Sequence, residues 1–258
     1  MIGVGSMAGW LLVCAGVAAG AGIGFLGGLL GIGGGMIAIP AFGLVLGMTQ
    51  QMAQGTALIL VVPTVLTSLR KYNQQVPVDW GLAAAGALST AAFTFVGARL
   101  ALGIDPVTLR RGFAVYLGFI ACIYVWQTLR PSPARARPRF VLRRPQAFGL
   151  GVLTGILSGF FGVGGAIMAV PIMTGLFGLR QASAQSLALT MVIPGAIVGL
   201  FTYTLAGQAD WIVGIVLAAS SMTCVARGVR MAYRLPERTL RLAFAALMFC
   251  TVPLLLAG

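Results

Sequence analysis

The sequence contains very few charged residues and no histidine. Only 8% of its 258 residues are charged, with 4 acidic side chains against 17 basic ones, whereas 59% are hydrophobic. A soluble domain carries about 25% charged residues to cover its surface, so this composition excludes a soluble globular protein. Long apolar stretches, each near the ~20 residues that cross a bilayer as a helix, instead predict an all-α integral membrane protein.

The missing residue types also argue against several kinds of chemistry. There is no His, and the four Cys residues are scattered through apolar stretches without a CxxC pair, so we expect no metal site and no cofactor. Neither a carboxylate pair nor a nucleophile–base pattern is present, so we expect no enzyme. The net charge of +13 comes from basic residues in short loops, which orient membrane proteins, and we expect no nucleic acid partner. Since the first basic residue is Arg70, we predict no signal peptide.

The second half of the sequence repeats the first at an offset of 131 residues. The segment GFLGGLLGIGGGMIAIP at 24–40 aligns without a gap with GILSGFFGVGGAIMAVP at 155–171. Gln54 and Gln185 keep the same offset, and so do the Asp-Trp pairs at 79–80 and 210–211. A single register held over so long a stretch predicts an internal duplication.

Each half opens with a glycine-broken apolar region, at 9–47 and 147–178, which is followed by three apolar spans. The predicted spans are 51–69, 80–101, 108–128, 183–205, 211–233 and 238–257. We therefore divide the chain into a first helical repeat at 1–128, a basic cytoplasmic linker at 129–146 and a second helical repeat at 147–258. The Asp that opens a span in each Asp-Trp pair predicts a helix cap, and the Trp predicts a position at headgroup level.

The basic residues predict how the two halves are oriented. Basic loops stay on the cytoplasmic side of a membrane, which places 70–79, 129–146 and 226–241 inside. Equivalent loops of the two halves then face opposite sides, so the repeats are predicted to be inverted, each with a re-entrant glycine-broken helix pair plus three transmembrane helices. Arg99, Arg110 and Arg111 oppose this assignment because they would flank an outside loop. Inverted repeats are a common plan of transporters.

The glycine breaks predict half-helices that could bind an anion. GIGGG at 31–35 and GVGGA at 162–166 are poor helix formers, and the apolar runs after them are too short to cross a membrane. A helix that starts inside the membrane exposes unpaired N–H groups and about half a positive charge. Such a terminus binds anions without a basic side chain. The alternative is a packing kink where two helices cross.

Polar side chains follow each half-helix and could complete the site. Gln54 and Gln185 are the paired positions, and their amides could coordinate an oxyanion, although capping of the next helix is an equally good interpretation. The candidate substrate-binding residues are Gly31, Gly33, Gly34, Gly35, Gln54, Thr56, Gly162, Gly164, Gly165, Ala166, Gln185 and Ser186.

At the paired motifs GGLLGIGGGMIAIP and SGFFGVGGAIMAVP, the chain resembles the TauE/SafE (sulfite exporter, TSUP) family of membrane anion transporters. The resemblance covers about 10–257 and implicates the two glycine breaks and the polar residues after them. Two departures are Ala166, where the first half has Gly35, and Leu187, opposite Thr56. The resemblance implies a multi-pass protein of the cell (inner) membrane whose substrate is a small anion such as sulfite or an organosulfonate. The alternative function is a non-catalytic membrane subunit or a membrane enzyme of unknown reaction.

Overall fold

The computed structural model describes residues 4–74, 79–129 and 142–257, and within these ranges the chain is helical without a strand. The helices are α1 (Val4–Leu30), α2 (Gly35–Leu46), α3 (Gln50–Asn73), α4 (Trp80–Leu102), α5 (Pro106–Leu129), α6 (Arg144–Phe161), α7 (Ala166–Gly175), α8 (Gln181–Leu205), α9 (Trp211–Arg234) and α10 (Glu237–Ala257). Among the described residues, six helices are long and apolar enough to cross a membrane, namely α3, α4, α5, α8, α9 and α10. These are the six predicted spans, so the all-α membrane fold is confirmed.

The helix boundaries follow the predicted repeat. The helices α2, α3, α4 and α5 begin 131 residues before α7, α8, α9 and α10, respectively. The same separation divides the ends of α1 and α6, at Leu30 and Phe161. The division into repeats at 1–128 and 147–258 stays a prediction, and most of the linker at 129–146 lies outside the described ranges.

The two halves interlock through their glycine-rich helices. The helix α1 packs along α9, and α6 packs along α4. A Cβ added to Gly24 would collide with the backbone of Ser221, and one added to Gly155 would lie 2.8 Å from the carbonyl oxygen of Thr90. Glycine is therefore required where the backbones of these helix pairs touch, which is how small residues support close packing in membranes.

Equivalent helices of the two halves run antiparallel where they meet. Between α5 and α10, the rings of Tyr124 and Phe244 stack with centroids 4.8 Å apart, while Gln127, further along α5, accepts a hydrogen bond from Arg241, which lies earlier in α10. Between α3 and α8, Gln54 near the start of one helix contacts Tyr203 near the end of the other. Inverted repeats require such pairs, but the sides of the membrane that the loops face stay a prediction.

The two Asp-Trp pairs begin helices as predicted. Asp79 Oδ1 accepts hydrogen bonds from the amides of Gly81 and Leu82 at 2.9 and 3.1 Å. Asp210 Oδ1 caps α9 in the same way, at 3.0 and 3.1 Å. The adjacent Trp80 and Trp211 are exposed, as an anchor at the membrane surface would be, although their depth in a bilayer stays a prediction.

Candidate functional site

Each glycine break is a sharp reversal built from left-handed backbone. In the first break, Gly31, Gly33 and Gly34 have φ angles of 66°, 73° and 84°. In the second, Gly162 and Gly164 have φ angles of 67° and 63°. A side chain is strained in this region because its Cβ approaches the neighbouring carbonyl, so the reversal accounts for the glycines at these positions.

The helices that follow the breaks are half-helices, as predicted. The helix α2 has 12 residues and α7 has 10, which gives lengths of ~18 and ~15 Å at about 1.5 Å per residue. The amides of Ile37 and Ala38 donate to Gly34 O, and those of Met168 and Ala169 donate to Gly165 O. The amides that precede them in the first turn have no acceptor within their own helix, so each N-terminus carries free donors and about half a positive charge.

The two breaks meet in the interior of the protein. A Cβ on Gly35, the first residue of α2, would lie 3.6 Å from Val163 Cα and 3.7 Å from Gly162 O. Val61 of α3 packs beside both breaks, because its Cγ1 would lie 3.2 Å from a Cβ on Gly33 and 3.8 Å from one on Gly164. The residues at 31–36 and 161–167 are all buried. The fold therefore brings the glycines of the two repeats, separated by more than a hundred residues, into one buried cluster.

Gln185 and Gln54 each reach across to the break of the other half. Gln185 Nε2 donates a 2.9 Å hydrogen bond to the carbonyl of Leu30, the last residue of α1. A Cβ on Gly31 would lie 3.2 Å from Gln185 Cδ, and one on Gly162 would lie 2.6 Å from Gln54 Cβ. Both glutamines are about 99% buried, at 1% and 0% exposure, respectively. They are thus placed at the breaks, as the candidate site requires.

The two glutamines differ in what their amides still offer. The donor of Gln185 is occupied by Leu30 O, so this side chain caps the carboxyl end of α1. Gln54 Oε1 lies 2.7 Å from the Tyr203 hydroxyl, whereas its Nε2 has no hydrogen-bond partner among the described residues. Gln54 is therefore the glutamine whose donor is available to a bound anion.

The hydroxyl candidates are engaged elsewhere in the chain. Thr56 Oγ1 accepts a 2.9 Å hydrogen bond from the amide of Asp210 and so links α3 to the start of α9. Ser186 is buried at 1% exposure and interacts within the chain. Thr49 caps α3 by accepting from Met52 N, which is the capping interpretation of this polar stretch. The structure thus places the glutamines, rather than these hydroxyls, against the breaks.

Sequence reasoning missed three buried hydroxyls beside the site. Tyr203 OH lies 2.9 Å from Gly159 O, and Tyr72 OH donates to Gly28 O at 3.4 Å. The donor and acceptor of the second pair each lie 131 residues before those of the first, so the repeat offset itself could have revealed these contacts. Thr64 Oγ1 donates to Gly33 O at 2.8 Å, and no local signal in the sequence indicates that bond.

Acidic side chains lie away from this buried cluster. Asp79, Asp105 and Asp210 cap α4, α5 and α9, and Glu237 is the first residue of α10. These are the 4 acidic residues of the sequence. The groups placed at the breaks are backbone amides and carbonyls, side-chain amides and hydroxyls, a set that suits a small anion better than a cation.

Comparison with known proteins identifies the family. The family described as "Sulfite exporter TauE/SafE" matches residues 15–253. The chain belongs to this family. The matched segment contains both glycine breaks, most of the six spans' residues and both glutamines.

Several relatives carry the name of a transporter. A "Probable membrane transporter protein" of Xylella fastidiosa (strain 9a5c) is 27% identical over 217 residues, which cover 82% of each chain. "Probable membrane transporter protein MJ0441" of Methanocaldococcus jannaschii is 25% identical over 250 residues and 88% of each chain. "Probable membrane transporter protein YunE" of Bacillus subtilis is 23% identical over 222 residues, 75% of this chain and 79% of the relative. No solved structure matches the chain.

Proposed function

We propose that this protein is a secondary transporter or passive facilitator that moves a small anion, sulfite or an organosulfonate, across the cell (inner) membrane. Membership of the TauE/SafE family and the transporter names of its relatives support the transport function. The family's description as sulfite exporters supports the sulfur-containing anion.

The observation that carries the proposal is the contact between the two glycine breaks. The start of α2 at Gly35 lies against Gly162 and Val163 of the second break, and both breaks are buried. Two helix N-termini that converge on one place contribute about one positive charge together. They also present several N–H donors, so an oxyanion can be held by backbone alone. The proposed binding residues are the glycines of both breaks, with Ala166 at the start of α7.

The side chains around the breaks favour an anion by removing negative partial charge. The carboxyl end of α1 carries about half a negative charge at the same place, and it would repel an anion held there. Gln185 Nε2 donates to Leu30 O and Tyr72 OH donates to Gly28 O, so these carbonyls are occupied. Gln54 Nε2 is free to donate to the substrate.

We propose that transport uses the internal repeat. The antiparallel pairs α3–α8 and α5–α10 support an inverted arrangement, in which the two halves exchange conformations and open the buried site to opposite sides in turn. The same inversion places the start of α8 on the cytoplasmic side and the start of α3 on the outside.

Flux into proteoliposomes tests this function. Sulfite, thiosulfate, sulfoacetate and acetate are offered to vesicles that contain the purified protein, with empty vesicles as the blank. We expect sulfite or sulfoacetate to enter, and Gly34→Leu to abolish entry because Gly34 has a φ angle of 84° and neighbours within 2.7 Å of an added Cβ. Gly47→Leu is the matched control, since Gly47 has a φ angle of 64° but open space around it. Absence of flux and of binding for all four anions would refute the proposal.

A further inference from the structure

A cavity of about 100 Å³ lies beside the glycine breaks, where the start of α8 meets the ends of α3 and α9 and the start of α10. Its lining includes Tyr72, Arg180, Gln181, Gln185, Tyr233 and Glu237. This volume is several times what a single water molecule needs. The cavity is therefore large enough for a small polar ligand.

The cavity exists because the two halves differ at one position. Ala182 lines it, together with Ala232 and Leu235 near the end of α9. At the equivalent position of the first half, Gln51 is buried and donates to the carbonyls of Ala101 and Ile104 at 3.3 and 2.7 Å. Those two residues are the equivalents of Ala232 and Leu235. A long amide thus fills in the first half the space that a methyl group leaves open in the second.

The cavity contains an unsatisfied polar side chain. Gln181 is 1% exposed, and neither atom of its side-chain amide has a hydrogen-bond partner in the described part of the chain. A buried amide without a partner is costly, and a ligand with acceptor oxygens would satisfy the Nε2 donor. Gln181 is also the first residue of α8, so the partial positive charge of that helix end acts on the same space.

The charges around the cavity favour an anion. Arg180, the residue before α8, is exposed at its edge and supplies a full positive charge. The Glu237 carboxylate opposes an anion, but Arg241 Nη2 lies 3.6 Å from its Oε2, and its Oε1 accepts from the amide of Gln181. The net balance of Arg180, Arg241 and Glu237 is one positive charge.

We propose that this cavity is a second anion site, in which Arg180 and Gln181 bind a small oxyanion. Gln185 joins it to the glycine breaks, because this side chain lines the cavity and also donates to Leu30 O at the end of α1. The site is then a waiting position on the way to the breaks, on the side that the basic loops predict to be cytoplasmic. That role in transport rests on the proposed function, whereas anion binding by the cavity does not.

Labelling of a cysteine inside the cavity tests the binding. Ala182→Cys is made in a protein whose native Cys14, Cys122, Cys224 and Cys250 have been replaced by Ala. The protein in nanodiscs is treated with an anionic sulfonatoethyl thiosulfonate reagent and with its cationic trimethylammonium analogue. We expect the anionic reagent to react roughly tenfold faster, relative to its rate with a free thiol, because of the positive charge at the cavity.

Two further measurements complete this test. Arg180→Gln should remove the preference for the anionic reagent, and Glu237→Gln should increase it. Methanesulfonate should slow the labelling, whereas gluconate, which is too large for the cavity, should not. Equal rates for the two reagents, or labelling that methanesulfonate does not slow, would overturn the proposal.

A second variant guards against misfolding of the labelled protein. Ala182→Gln should fill the cavity as Gln51 fills its equivalent, so the protein should remain folded but lose part of the thermal stabilisation that methanesulfonate gives the native chain. Ala182→Ser, which keeps the cavity open, is the control. Stabilisation that is the same in the Gln variant as in the Ser variant would contradict the site.

The outcomes separate this inference from the proposed function. Protection of Cys at 182 without anion flux would leave the cavity site standing and refute the transport function. Flux without protection would refute the cavity site alone.

Discussion

A single methyl group at Gly162 tests whether the second break needs its contact with Gln54. Gly162 has a φ angle of 67°, and an added Cβ would lie 2.6 Å from Gln54 Cβ and 3.1 Å from Gln54 Cα. Gln54 cannot easily withdraw, because its Cα belongs to α3 and its side chain lies within 2.7 Å of the Tyr203 hydroxyl. Gly162→Ala therefore forces the break away from α3.

The structure separates the two costs of this change. The left-handed conformation costs an L residue about 1–2 kcal/mol, and overpacking in a filled interior costs a further ~1–3 kcal/mol. Gly207→Ala is the matched control, since Gly207 has a φ angle of 69° with nothing within 4 Å of an added Cβ. It carries the first cost alone, so the two variants should differ in the free energy of unfolding by ~1–3 kcal/mol.

Unfolding in detergent and anion flux measure the two variants. Gly207→Ala should lower stability slightly and retain sulfite flux in proteoliposomes. Gly162→Ala should be less stable by the larger amount and should lose most of its flux, because the anion donors of the break are displaced. If both variants have the same stability and the same flux, the close approach of the break to α3 is irrelevant to folding and function.

Three other changes test separate parts of the structure. Gly24→Ala should prevent close packing of α1 on α9, because its Cβ would lie 2.6 Å from Ser221 Cα, and should reduce the yield of folded protein, while Gly22→Ala, with open space at its Cβ, should not. Gln185→Leu leaves Leu30 O without its 2.9 Å donor and should cost ~1–3 kcal/mol in unfolding experiments; unchanged stability would deny the capping role. A Cys in place of Arg137 should resist an impermeant thiol reagent in intact cells, and labelling there would reverse the predicted topology.

Features that depend on one stretch of chain could be predicted from the sequence. The spans predicted to begin at 51, 80 and 108 begin at Gln50, Trp80 and Pro106, because apolar length and capping residues are local signals. The breaks at 31–35 and 162–166 were predicted for the same reason, since clustered glycines favour reversal of the backbone whatever surrounds them.

Features that depend on pairing between distant stretches could not be predicted. Nothing in either half indicates that α1 packs on α9 or that Gln185 reaches Leu30, because these contacts join the two repeats. A glutamine side chain carries both a donor and an acceptor, so its sequence position does not show which one the fold occupies. Both glutamines were predicted to bind the anion, whereas the structure uses the donor of Gln185 to cap α1 and leaves that of Gln54 available.

The departures from the repeat carry information that the repeat itself does not. Thr56 ties α3 to the start of α9 through Asp210 N, but Leu187, its equivalent in α8, has no hydroxyl with which to tie α8 to the start of α4. Gln51 fills its end of the molecule, whereas Ala182 leaves a cavity at the equivalent place. Both differences make the first half's end of the bundle the more tightly held. A carrier with perfectly equivalent halves would bind its substrate equally on approach from either side, so these substitutions are where a preferred direction of anion entry can arise.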